Sequence, residues 1–93
     1  MMKTPTFSLG SLVATPAALE ALQRACQSPA EFIDRHASGD WGDVSKGDAR
    51  LNDAAVKDGD RLLSAYATVD GQRIWIITEA DRSSTCILLP EEY

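Results

Sequence analysis

Cysteine, histidine, basic runs and long apolar stretches are all scarce in this chain, and each scarcity closes a class of function. There are two cysteines, Cys26 and Cys86, far apart and in no CxxC pair. That argues against a zinc framework and against a disulfide-dense secreted scaffold. Both thiols are expected to be reduced and partly buried. One histidine, His36, gives no histidine-rich ligand set, and neither a metal nor a cofactor is expected. Lysine and arginine form no run; 9 of them stand against 14 Asp and Glu, for a net charge of −5. Gripping nucleic acid through its phosphates needs the opposite sign, so no direct nucleic-acid contact is expected. No apolar run approaches the roughly 20 residues that span a bilayer, and no apolar signal region follows the start. A cytoplasmic location with no membrane partner is the expectation. GxSxG, P-loop and GxGxxG motifs are missing.

What is present is an ordinary globular composition, 44% hydrophobic and 25% charged over 93 residues. This predicts one α+β domain over 1–93, with 1–5 and 91–93 as loose ends. Its organising stretch is Arg61 to Leu89, which reads as three strands in a row: 61–69, 72–79 and 84–89. Asp70-Gly71 between the first two is the signature of a two-residue type I′ hairpin. That loop sets a register in which Ala67 faces Ile74, Ala65 faces Ile76 and Tyr66 faces Trp75. Ala65, Ala67, Ile74, Ile76 and Ile87 then form one side, expected under the helices. Leu62, Tyr66, Trp75, Ile77, Cys86 and Leu88 form the other, too apolar to leave in water.

Upstream, 7–14 predicts a strand interrupted at Gly10. Thr15-Pro16 opens a helix with Leu19, Leu22 and Cys26 at helical spacing. Ser28-Pro29-Ala30-Glu31 opens a second helix through a capping box, ending by Ser38-Gly39. Ser45 caps a third, running to Asp58, weakly amphipathic and lightly docked. The order is β-α-α-α-β-β-β. It predicts an antiparallel sheet with a C-terminal three-strand meander and helices mainly on one face.

Two sets of residues are candidates for function. A catalytic set would pair His36 with Asp40, Asp43 or Asp81 as acid and base. The plainer reading makes His36 a cation at a helix C-terminus and Trp41 a plug between the second and third helices. A partner-binding set comprises the acidic residues Asp48, Asp53 and Asp58 of the third helix and the apolar residues Tyr66, Trp75, Ile77 and Leu88. The acids would attract a partner over distance, and the apolar face would pack on a protein partner or on a second copy in a two-fold homodimer.

Leu12-Val13-Ala14-Thr15-Pro16, Gly39-Asp40-Trp41-Gly42-Asp43, Arg50-Leu51-Asn52, Leu62-Leu63-Ser64-Ala65-Tyr66, Ile74-Trp75-Ile76-Ile77-Thr78-Glu79-Ala80-Asp81-Arg82 and Ile87-Leu88-Leu89-Pro90-Glu91-Glu92-Tyr93 resemble a family of small proteins encoded on plasmids, phages and integrated elements. Members carry the label hypothetical protein or type I restriction subunit. A methylating subunit needs an S-adenosylmethionine site and a target-base pocket, and this chain carries no such motif. The resemblance implies a mobile-element setting. With the acidic charge, it leads to the expectation of a non-enzymatic interaction protein that inhibits a host defence complex, of anti-CRISPR or anti-restriction type. The element order also resembles RelE/ParE-type toxins, which implies the alternative of a toxin-like ribonuclease; a small hydrolase using His36, Asp40 and Asp81 is the other enzymatic alternative. A structural or regulatory homodimer is the third expectation.

Overall fold

The computed structural model describes residues 6–93. The fold is α+β, with β1 (Ser11–Ala14), α1 (Pro16–Arg24), α2 (Pro29–Ala37), α3 (Lys46–Asp58), β2 (Leu62–Ala67), β3 (Arg73–Thr78) and β4 (Ser84–Leu88) in chain order. A 3-10 turn over Pro90–Glu92 follows. The four strands make one sheet in the order β1-β4-β3-β2. The meander is antiparallel as expected, but β1 runs parallel to β4, so the sheet is mixed. Period-2 alternation marks strands without giving their direction. Direction here is decided by the three helices, which carry the chain from one edge of the sheet to the other.

Helix starts follow the sequence closely. The Thr15, Ser28 and Ser45 side chains accept from the backbone N–H groups of Ala18, Ala30 and Asp48. The capping box expected at the second helix is incomplete, because the Glu31 carboxylate takes the Gln27 amide instead, at 2.8 Å. The buried stripe of α1 is Ala18, Ala21 and Leu22; Leu19 and Cys26, expected beside Leu22, are exposed. The chain turns left-handed at Cys26 just past the helix, with φ 56°, and the thiol points out.

The hairpin register differs from the expected one by a residue. Tyr66 pairs with Ile74, Ala65 with Trp75 and Ser64 with Ile76. The loop is three residues, Val69-Asp70-Gly71, closed by Thr68 N–H on the Gln72 carbonyl at 2.8 Å and by Gly71 N–H on the Thr68 carbonyl at 2.9 Å. Only Gly71 adopts positive φ, 88°, which gives a type I turn with a glycine bulge rather than type I′. The cause is Thr68. Its buried hydroxyl donates to the Asp70 carboxylate and accepts from Gln72 N–H. A one-residue slip turns a whole strand over. Leu62, Ser64 and Tyr66 therefore face the helices together with Ile74, Ile76, Thr78, Thr85 and Ile87. Leu63, Ala65, Trp75, Ile77, Cys86 and Leu88 form the outer face.

Both apolar clusters draw on the helix side only. The larger gathers Leu22, Phe32, Ile33, Tyr66, Ile74, Ile76 and Ile87; the smaller packs Trp41, Ala55 and Leu62 near α3. On the outer face Ile77 and Leu88 are buried and Trp75 is partly buried. The Tyr93 ring lies 5.6 Å from the Trp75 ring. The last residues are therefore placed rather than loose. Glu92 Oε1 accepts from Thr15 Oγ1 at 2.7 Å and from Leu89 N–H at 2.8 Å. The expectation of a loose 1–5 lies outside the described residues.

Candidate binding site

His36 is fully buried, and both ring nitrogens are engaged by hydroxyls. Nδ1 lies 2.5 Å from Ser64 Oγ and Nε2 2.8 Å from Thr78 Oγ1. Thr78 Oγ1 is 2.8 Å from Thr85 Oγ1, which donates to the Leu9 carbonyl at 2.7 Å. That carbonyl can only accept, so the direction of the whole chain follows. Thr85 donates to Leu9, Thr78 to Thr85, His36 Nε2–H to Thr78, and Ser64 to Nδ1. The imidazole is neutral, and burial pushes its pKa down to about 4. It is a locked structural group, not the helix-end cation of the plainer sequence reading.

The other candidate catalytic groups stand apart from the imidazole. The Asp40 carboxylate meets Arg35 at 2.7 Å. Asp43 contributes its N–H to the Ala65 carbonyl at 2.7 Å. The Asp81 carboxylate accepts from Ser83, a hydrogen bond that holds its pKa below the usual range. Arg82, in the same turn, donates to the Asp60 and Ala55 carbonyls at 2.6 and 2.8 Å. Neither ring nitrogen of His36 meets one of these acids. Among the described residues no cluster of three His, Cys, Asp or Glu side chains has metal-site geometry.

Trp41 is buried between α2 and α3. Its ring meets His36 edge-on at 5.7 Å, and its N–H donates to Asp53 Oδ1 at 2.9 Å. Asp53 thus holds Trp41, and it is exposed on α3 as Asp48 and Asp58 are. Of the apolar partner-binding candidates, Tyr66 is core. It is 1% exposed, its hydroxyl donates to the Asp40 carbonyl at 2.6 Å, and burial pushes the phenol up to about 12. The register slip put it there. Ile77 and Leu88 stand on the outer face but are nearly covered, which leaves Trp75 as the partly open member.

An apolar concave feature lies elsewhere, at the β1 edge. An open groove of about 570 Å³ runs between β1 and α2. Leu9, Leu12, Ala14 and Ile87 line the sheet side, and Ala30, Ile33 and Ala37 line the helix side, with Leu19 of α1 also contributing. Asp34 is the one charged residue among its walls. Leu12 and Val13 are 57% and 51% exposed. The sequence reading missed this place. Its signal is a second stripe on α2, Ala30-Ile33-Asp34-Ala37 at i, i+3, i+4 and i+7, opposite an apolar Leu12-Val13 on a strand with no charge.

No protein-family profile, curated protein or solved structure matches this chain. Among the described residues, no helix is long and apolar enough to cross a membrane.

Proposed function

We propose that this chain is a non-enzymatic protein-binding domain that inhibits a host defence complex, of CRISPR or restriction type, on behalf of a mobile element. The observation that carries the binding reading is the β1 edge, which no described segment covers and where an apolar groove of about 570 Å³ opens beside a strand with exposed Leu12 and Val13. Monomeric proteins seldom leave such a strand edge and apolar surface together without use. The mobile-element setting rests on the family resemblance. The acidic α3, with Asp48 and Asp58 exposed, suits a basic partner surface approached over distance. Against the toxin or hydrolase alternative stands His36, sealed from solvent with both ring nitrogens committed to hydroxyls.

The test is direct. The purified chain is titrated against reconstituted CRISPR and restriction complexes, and cells carrying each system are challenged with phage or plasmid. Binding together with protection supports the proposal; neither binding nor protection in any system overturns it. Growth arrest on expression that disappears in His36→Ala would transfer the function to the enzymatic alternative. A second reading, a homodimer, is favoured by the partly open Trp75 on the outer face. In that case Trp75→Lys converts a dimer into a folded monomer, as read by sedimentation.

A further inference from the structure

We infer that the partner binds by strand addition. An extended segment of the partner protein pairs with the free edge of β1, inserts alternate apolar side chains beneath α2, and sets a flanking Lys or Arg against Asp34. This deepens the protein-binding reading and rests on it.

The backbone supplies the first argument. Ser11 N–H donates to the Ser83 carbonyl at 3.0 Å and Thr15 N–H to the Ile87 carbonyl at 3.0 Å. Within a strand, successive residues alternate the side to which they present N–H and C=O. Odd positions of β1 therefore bond to β4, and Leu12 and Ala14 aim theirs away from the sheet. β1 is the terminal strand, and among the described residues no segment pairs with that outer side. Ser11–Ala14 is short, at four residues, but it carries no lysine, no proline and no inward charge to blunt the edge.

The side chains supply the second. Leu12 and Ala14 lie in register with Thr85 and Ile87, whose side chains face the helices. Every second residue of an added strand would share that side and enter the groove, whose walls are apolar. The remaining residues would stay on the outer face of the sheet. Extended backbone with apolar side chains at alternate positions is thus the chemistry that fits.

Charge supplies the third, and it decides against a second copy as the occupant. Asp34 makes no ion pair among the described residues and stands at the groove wall. A two-fold pairing of β1 with itself would bring the segment 6–15, which contains no Lys or Arg to answer that carboxylate. A foreign strand with a basic flank would.

The probe is a displayed library of random seven-residue segments selected on the full chain, followed by titration of the ¹⁵N-labelled chain with the enriched peptide. The expected result is enrichment of alternating apolar sequences with a terminal Lys or Arg. Shifts should fall at Leu12, Ala14, Ile33 and Asp34, and exchange of the Leu12 and Ala14 amides should slow. Leu12→Pro, and the milder Leu12→Lys should the proline variant lose its dispersed spectrum, weaken the peptide at least tenfold. Asp34→Lys reverses the preference from a Lys-flanked to a Glu-flanked peptide. Failure to enrich any alternating sequence, or shifts centred on Trp75, overturns the inference. So does a concentration-dependent dimer whose interface is β1. If Leu12→Lys keeps full binding and protection in the defence assay, strand addition fails while the inhibitor reading survives.

Discussion

The two edges of the sheet receive opposite treatment. At the β2 edge, the outward groups of Ala65 meet backbone. Ala65 N–H donates to the Trp41 carbonyl at 3.1 Å and the Ala65 carbonyl accepts from Asp43 at 2.7 Å. Those of Leu63 meet a side chain that imitates backbone. Asn52 Nδ2 donates to the Leu63 carbonyl at 2.8 Å, and its Oδ1 accepts from Leu63 N–H at 3.2 Å. Gly42 permits the close approach; a Cβ there would fall 2.0 Å from the Ala65 carbonyl oxygen. At the β1 edge, the N–H and C=O groups of Leu12 and Ala14 point away from the sheet, and no described segment lies across them. A fold that closes one edge with a loop, an asparagine and a buried tryptophan has the means to close the other. The difference teaches that edge protection is local, and it marks the bare edge as the place where function is to be sought.

Removing the seal should have the largest effect. Trp41→Ala takes out a ring that is 5% exposed and holds the loop against β2. A cost of about 3–5 kcal/mol is expected, measured by chemical denaturation. A loss under about 1 kcal/mol, against the cost of cavity formation, would break the comparison, because the loop would then be a passive cover.

The His36 chain runs from Ser64 on β2 through Thr78 and Thr85 to Leu9 beside β1, so it spans the sheet between the two edges. Its pKa is about 4 in the folded protein against 6.5 ordinarily. Between those values the unfolded chain holds more protons, so stability rises with pH there. The contribution is complete above about pH 6.5 and is lost as pH falls toward 4, to a total of about 3 kcal/mol. Comparing wild type with His36→Gln across that window isolates this term from the carboxylates. Parallel pH profiles for the two proteins would show that His36 does not couple folding to protons.

Asn52→Ala is next. It leaves Leu63 N–H and C=O without their partner at a half-covered edge, and a loss of about 1–3 kcal/mol is expected. Hydrogen exchange at Leu63 should accelerate at the same time. If Asn52→Ala is neutral and Leu63 stays protected, water replaces the side chain and the edge is less sealed than its geometry implies.

How much of this was legible follows from what each residue depends on. The three helix starts depend on Thr15, Ser28 and Ser45 acting on neighbours three or fewer residues away, and they read correctly. The inward placement of Ile74, Ile76 and Ile87 came from alternation and was also readable. β2 was turned over because the Thr68 hydroxyl, not the Asp70-Gly71 dipeptide, sets the loop length. The parallel pairing of β1 with β4 depends on where three helices deliver the chain, which no local pattern encodes. The role of His36 was hidden because its partners, Ser64 and Thr78, lie 28 and 42 residues away. Polar residues at inward strand positions were the available clue. The groove went unseen because a helix stripe that faces an empty edge looks, in sequence, like any other apolar stripe.

The smallest expected effect tests the bare edge itself. Proline is tolerated in sheets only where the missing N–H faces solvent. By the alternation of β1, Leu12 presents its N–H outward and Val13 presents its own to β4. Leu12→Pro should therefore cost at most about 0.5 kcal/mol in the free protein, as expected for a surface position away from special features. Val13→Pro, one residue along, removes a ladder hydrogen bond at the same strand and should cost several times more. The pair is read by thermal or chemical unfolding and needs no partner. Equal losses for the two would show that the Leu12 amide is already bonded in solution. The two edges would then be alike, and the case for an added strand at β1 would go with the contrast on which it stands.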